Sequence, residues 1–142
     1  NFFDLDREIE RMAGWVVSDI FAQLGEGHFR ELEQSVLEML IALNEPCVIS
    51  TGGGTPCFFN NLEVMLNAGP TIFLNTPIDV IIDRVKSAKG SRPLVNEMDD
   101  ATLEADIRTL FEKRLPFYNK STLTTDSDMD EIMTFLPTFT EK

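Results

Sequence analysis

Two aspartates one residue apart, Asp4 and Asp6, follow a short apolar run at the start of the sequence. Two carboxylates in this arrangement can divide two tasks of phosphoryl transfer to a hydroxyl group. One accepts the proton of the attacking hydroxyl, and the other faces the metal that screens phosphate charge. The same residues could also form a helix N-cap and a first-turn acid. Taken alone, the two aspartates favour the capping interpretation.

Arg30 lies three residues before Glu33, within a stretch of helical periodicity. This spacing is typical of an intrahelical ion pair worth about 0.2–0.5 kcal/mol. A guanidinium group also suits a planar carboxylate ligand, because its fork of N–H donors matches the two oxygens. Spacing alone favours the ion pair.

Three consecutive glycines, Gly52, Gly53 and Gly54, follow a short apolar run. Each glycine inside a helix or strand costs roughly 0.5–1 kcal/mol relative to alanine, so a reason other than stability is needed. The sequence predicts either a tight turn or a loop whose backbone approaches a ligand.

The overall composition limits the class of partner. Lys and Arg total 12 against 24 Asp and Glu, which gives a formal net charge of −12. This charge argues against a nucleic-acid-binding or anionic-membrane surface. Neither a run of 18 apolar residues nor a signal-peptide pattern occurs in the sequence, so we expect a cytoplasmic protein.

The elements that position these residues alternate between short apolar runs and amphipathic stretches. Strands are predicted at residues 2–5, 47–50, 71–75 and 122–125, and helices at 6–12, 17–24, 29–43, 60–67, 77–87, 100–114 and 129–136. This order predicts a single α/β domain over residues 1–142, with a mostly parallel sheet and helices on both faces. Ligands of such sheets collect at the carboxyl ends of the strands.

Five motifs resemble the shikimate kinase family and occur in the family's order. They are DLD at residues 4–6, FRELE at 29–33, STGGG at 50–54, RPL at 92–94 and RLPFY at 114–118. The resemblance implies a P-loop NTPase-like nucleoside monophosphate kinase architecture. It also implies ATP-dependent phosphorylation of the shikimate 3-hydroxyl in the chorismate pathway of aromatic amino-acid biosynthesis, with Mg²⁺ as a cofactor and a monomer when full length.

The resemblance also implies roles for the charged residues. Asp6 lies against the acceptor hydroxyl as the candidate base, and Asp4 contacts magnesium through water. Arg30 and Arg114 bind the shikimate carboxylate, while Glu33 orients Arg30 or touches a ring hydroxyl.

Further roles follow from the loops. The backbone amides of the triple glycine are expected to meet the acceptor hydroxyls. Arg92, in a lid over residues 88–98, is expected to close over the phosphates and to stabilise transition-state charge. Arg84 is a candidate for stacking on adenine, and a surface charge is the alternative.

One family motif is absent from the sequence, because no G-x-x-x-x-G-K-[ST] pattern occurs in it. We therefore expect the chain to lack the family's first strand and phosphate-binding loop, and to be inactive alone. In the family's strand order, 2-3-1-4-5, the absent strand separates the strands at residues 47–50 and 71–74, so these two should share no ladder. The alternatives are a non-catalytic shikimate-binding remnant and a kinase for another hydroxy acid such as gluconate.

Overall fold

The computed structural model of the chain describes residues 1–87, 100–126 and 129–136. The chain forms two compact units, Asn1–Ala68 and Gly69–Lys142. The single-domain interpretation of residues 1–142 stays a prediction. The predicted lid at residues 88–98, with Arg92, lies outside the described residues.

Strands and helices alternate along both units, as predicted for an α/β protein. The strands are β1 (Phe2–Asp4), β2 (Val48–Ser50), β3 (Ile72–Leu74) and β4 (Leu123–Thr125). The helices are α1 (Leu5–Ala13), α2 (Val17–Ala42), α3 (Asn61–Ala68), α4 (Ile78–Ser87), α5 (Asp100–Tyr118) and α6 (Met129–Phe135), with a short 3₁₀ turn at Thr55–Cys57.

The four described strands form two separate two-stranded sheets, and both are parallel. In the first unit, β1 pairs with β2, and Asp4 lies opposite Ser50. In the second unit, β3 pairs with β4. In the family's numbering the absent strand is strand 1, so β1, β2, β3 and β4 are strands 2, 3, 4 and 5. The order 2-3-1-4-5 then requires the two pairs observed, and the prediction that β2 and β3 share no ladder is confirmed for the described strands.

The core of the first unit lies between α1 and α2. Leu5 and Ile9 of α1 and Ile20 of α2 are completely buried. The sequence defines both ends of α1. Asp4 caps its start by accepting a hydrogen bond from the Arg7 amide at 3.2 Å, and Gly14 ends it in the left-handed region at φ 71°.

Helix α2 contains a break at Gly25, whose φ of 81° and ψ of 169° are not helical. Glycine takes this conformation without the steric cost that a side chain would add. The prediction of two helical pieces, at residues 17–24 and 29–43, is confirmed in outline. The correction is that the second piece begins directly after Gly25, so residues 26–28 also belong to it.

The second unit corrects the predicted end of α5. The helix continues through Pro116 to Tyr118 instead of ending near residue 114. The Tyr118 ring contacts Phe73 and Phe111, with centroid distances of 4.9 and 6.4 Å, and this packing holds the last turn despite the proline. Among the described residues, no helix is both long and apolar enough to span a membrane.

Candidate functional site

Polar residues meet at the carboxyl edge of the first sheet, as the sequence predicted. Asp4 ends β1 beside Ser50 at the end of β2, and Asp6 follows in the first turn of α1. A Cβ atom built on Gly52 would lie 3.9 Å from the Asp6 Oδ1 atom and 3.6 Å from the Glu33 Oε1 atom. The two carboxylates therefore approach the same glycine.

The Asp6 carboxyl group lies among negative charges. Partial burial raises its pKa most, and the carboxylates of Asp4, Glu33 and Glu10 raise this pKa further, while Arg30 lowers it. Much of the Asp6 side chain is nevertheless exposed to solvent. Asp6 is thus an accessible carboxylate with more basic character than an ordinary surface aspartate.

Arg30 is buried, with 8% of its surface exposed, and its guanidinium group is held by two carboxylates. Nη1 donates to Glu33 Oε2 at 2.9 Å, and Nε and Nη2 both donate to Glu26 Oε1 at 3.2 and 3.0 Å. Glu33 is 1% exposed and Glu26 lies largely in solvent. A ligand could therefore replace the Glu26 ion pair more easily than the buried Glu33 ion pair.

Aromatic rings surround the guanidinium group of Arg30. Its Cζ atom lies 4.1 Å from the centroid of the Phe58 ring and 5.1 Å from that of Phe29. Phe21 packs on Phe29 at a centroid distance of 4.5 Å. A cation over an aromatic face is attracted by the ring quadrupole, and the attraction grows when water is excluded. The rings thus fix the plane in which Arg30 presents its N–H groups.

Gly54 is required by space rather than by backbone conformation. Its φ of −84° and ψ of −27° are accessible to any residue. However, a Cβ atom at this position would lie 2.7 Å from both Nη1 and Nη2 of Arg30. The sequence predicted a glycine loop that approaches a ligand with its backbone. The structure adds a close approach of Gly54 to the Arg30 guanidinium, whereas a Cβ atom at Gly52 would make ordinary contacts. The approach of the glycine backbone to a ligand stays a prediction.

The second carboxylate oxygen of Glu33, Oε1, is held by a chain of buried hydrogen bonds. The Thr55 hydroxyl donates to Glu33 Oε1 at 2.6 Å, and the Asn61 amide donates to the Thr55 carbonyl at 3.0 Å. Both Thr55 and Asn61 are completely buried. Sequence reasoning missed Thr55, Asn61 and Phe58, and their only signal was their position just after the glycines.

The predicted site residues fall in different parts of the molecule. The first unit brings together Asp4, Asp6, Arg30, Glu33 and the triple glycine. Arg84 is exposed on α4 and Arg114 is half-buried on α5, and both belong to the second unit. Their roles stay predictions.

A family model described as shikimate kinase matches residues 1–137. The chain belongs to the shikimate kinase family. The predictions of this family and of its kinase activity are confirmed, and ATP as the phosphate donor follows from the family. The inactivity of this chain alone stays a prediction.

Relatives and solved structures agree with this assignment. Shikimate kinase from Parabacteroides distasonis is 41% identical over 128 residues, which cover 90% of this chain and 73% of the relative. Shikimate kinase from Bacteroides thetaiotaomicron is 43% identical over 120 residues, covering 84% of this chain and 68% of the relative.

The similarity extends to three-dimensional structure. A crystal structure of shikimate kinase from Bacteroides thetaiotaomicron aligns with a TM-score of 0.82 at 39% identity, covering 94% of this chain and 77% of that one. The structure of shikimate kinase from Acinetobacter baumannii in complex with shikimate aligns with a TM-score of 0.83 at 29% identity, covering 97% and 79%. The predicted fold class is confirmed.

Proposed function

We propose that the first unit carries the acceptor site of a shikimate kinase, at which the 3-hydroxyl of shikimate receives the terminal phosphate of ATP. The observation that carries the proposal is that a buried, stacked guanidinium, Arg30, and an accessible carboxylate of raised pKa, Asp6, both border the glycine loop. Shikimate offers one carboxylate and several hydroxyls, which is the chemistry that these two groups can recognise. The shikimate complex of the Acinetobacter baumannii enzyme supports this choice of acceptor.

Asp6 is proposed as the proton acceptor for the attacking hydroxyl. Its pKa is raised by burial and by neighbouring carboxylates, so it binds a proton more readily than a free aspartate. A base that accepts the proton as the bond to phosphorus forms typically contributes about 10²–10⁴-fold to a rate. Its partly exposed position leaves room for the acceptor.

Arg30 is proposed to bind the acceptor carboxylate, with Glu33 as the residue that orients it. A guanidinium fork binds a planar carboxylate through two parallel hydrogen bonds, which fixes direction as well as distance. Three further roles are proposed from the family motifs. Arg114 binds the same carboxylate, Arg84 stacks on adenine, and Arg92 contacts the phosphates. A monomeric state and a cytoplasmic location are proposed on the same basis.

Magnesium is proposed to bind near Asp4, which contacts it through water. Within the described part of the chain, no group of three or more His, Cys, Asp or Glu side chains could hold a metal ion. A pair of carboxylates nevertheless fits magnesium, which keeps several waters and uses one or two protein carboxylates together with substrate phosphates. After burial, the negative charge of Asp4 raises the pKa of Asp6 most, and a bound cation would offset that charge. When bound, magnesium screens the phosphate charge.

The test is the substitution Asp6→Asn in the intact protein, meaning this chain joined to a family-type N-terminal strand and phosphate-binding loop. We expect turnover with saturating shikimate and ATP to fall about 10²–10⁴-fold, while the dissociation constant for shikimate changes little. The matched control is Asp19→Asn, because Asp19 is also an exposed acid in the first turn of a helix. Near-normal turnover of Asp6→Asn would assign Asp6 to helix stabilisation alone and would overturn its proposed role.

A further inference from the structure

The side edge of the Arg30 guanidinium, formed by Nε and Nη2, is occupied by a carboxylate of the same helix. Both nitrogens donate to Glu26 Oε1, at 3.2 and 3.0 Å. This edge is one of the two that a planar carboxylate can bind through paired hydrogen bonds. Glu26 therefore holds the position that a carboxylate ligand of Arg30 would take.

Protein groups also stand at the Nη1–Nη2 edge and over one face of the guanidinium, and Arg30 as a whole is only 8% exposed. The Cβ position of Gly54 lies 2.7 Å from both Nη atoms but 3.0 Å from Cζ. Because this position is closer to both Nη atoms than to Cζ, it lies outside the Nη1–Nη2 edge of the guanidinium group. Gly54 therefore stands at that edge. Phe58 stacks at 4.1 Å from Cζ, and Glu33 holds Nη1.

The two glutamates that bind Arg30 differ in their surroundings. Glu33 is 1% exposed and is fixed by the Thr55 hydroxyl at 2.6 Å, so it cannot leave without breaking a buried network. Glu26 is 57% exposed and lies between Gly25, where the helix is broken, and Gly27. The geometry makes Glu26 the replaceable partner.

We infer that Glu26 occupies the binding position of the acceptor carboxylate, on the Nε–Nη2 edge of Arg30, until the acceptor displaces it. The inference rests on the proposed function, since it takes Arg30 as the residue that binds this carboxylate. Glu26 keeps the guanidinium in its binding orientation when no acceptor is present, and it lowers the apparent affinity because it competes. Glu26 is thus a residue that sets acceptor affinity without taking part in phosphoryl transfer.

The experiment compares Glu26→Gln with Glu31→Gln in the intact protein. Glu31 is also an exposed acid of α2, 72% exposed, and its carboxylate lies 3.8 Å from the His28 Nδ1 atom instead of on Arg30. Both variants lose one negative charge, but only the first removes the carboxylate on Arg30. Shikimate and its neutral methyl ester are titrated by calorimetry, the Michaelis constants for shikimate and ATP are measured, and circular dichroism melts verify folding.

We expect Glu26→Gln to lower the dissociation constant and the Michaelis constant for shikimate about two- to fivefold, the range for displacing an exposed ion pair. Binding of the methyl ester and the Michaelis constant for ATP should not change, and Glu31→Gln should match the wild type. Unchanged or weaker shikimate binding, or equal tightening of acid and ester, would overturn the inference while leaving the proposed function standing. If the wild type does not bind shikimate, the proposed function itself fails.

Discussion

Two arginines, one in each unit, form the same local ion pair in different surroundings. Arg30 binds the glutamate four residues before it, Glu26, through Nε and Nη2 at 3.2 and 3.0 Å. Arg108 binds the glutamate four residues before it, Glu104, through the same two nitrogens at 3.2 and 2.9 Å. The helical spacing therefore produces an identical pair in both units.

The surroundings of Arg108 are those of a solvated surface. Its side chain is 42% exposed, and its second carboxylate partner, Asp79, is 78% exposed. The hydrogen bond that Arg108 donates to Asp79, followed by those it donates to Glu104, raises the pKa of Arg108, whose charge is fixed at any ordinary pH. None of the contacts that immobilise Arg30 is described for Arg108. An arginine becomes a candidate binding group when rings, a glycine and a buried carboxylate fix it, and the local pair alone does not achieve this.

The largest expected effect on shikimate binding comes from replacing each arginine by lysine, which keeps the charge but removes the planar guanidinium fork. Arg30→Lys should weaken shikimate binding about 30- to 100-fold, because the buried Glu33 loses its partner and the acceptor loses a paired contact. Arg108→Lys should leave both binding and the thermal midpoint almost unchanged, since its partners are solvated. Calorimetry with shikimate measures the first effect, and a thermal melt measures the second. Equal effects of the two substitutions would show that the surroundings of Arg30 have no special role.

A smaller effect on shikimate binding is expected from the glycine loop, where Gly52 and Gly54 differ in the space available for a side chain. Gly54→Ala would place a methyl group 2.7 Å from the Arg30 nitrogens and push the guanidinium aside, so we expect about tenfold weaker shikimate binding. Gly52→Ala would meet atoms only at 3.6 Å or more and should be tolerated. The measurement is the dissociation constant for shikimate, with a thermal melt to verify folding. A Gly52→Ala variant as weak as Gly54→Ala would indicate that the loop needs glycine at both positions for its backbone.

The smallest effect concerns stability at the edge of the first sheet. Because the pKa of Asp6 is raised on folding, the folded state holds its proton more tightly, and stability falls as pH rises from the ordinary pKa through the raised one. Asn at this position cannot ionise, so Asp6→Asn should give a slightly higher thermal midpoint at neutral pH. The gain should disappear in acid, below the ordinary pKa of aspartate. Thermal melts across this pH range test it, and a lower midpoint of Asp6→Asn at neutral pH would contradict the assigned repulsion.

The sequence predicted the parts of this site that recur as linear motifs. The pair Asp4 and Asp6, the Arg30–Glu33 spacing and the triple glycine were all identified, and the structure brings them to one sheet edge. The order of the strands and helices was also predicted closely, because apolar runs and helical periodicity are local signals. The predicted end of α5 at residue 114 was wrong, since the helix continues through Pro116 to Tyr118, whose ring packs on Phe73 far along the chain.

The supporting contacts could not be read from the sequence, because they join residues that are distant along the chain. Thr55 lies 22 residues from its partner Glu33, and nothing in either neighbourhood indicates this hydrogen bond. The stacking of Phe58 on Arg30 depends on how the glycine loop folds back over α2. The steric reason for Gly54 is equally non-local, since its backbone angles alone would admit any residue.

The most direct measurement of the central claim is an NMR titration of the isotope-labelled intact protein with shikimate, observing the arginine Nε–H resonances. The Arg30→Lys and Arg108→Lys variants assign the two signals. If Arg30 binds the acceptor carboxylate, its Nε–H resonance shifts in a saturable manner while that of Arg108 stays in place, because only the Arg30 side edge exchanges its partner. An unmoved Arg30 resonance at saturating shikimate, or an equal shift at Arg108, would contradict the account.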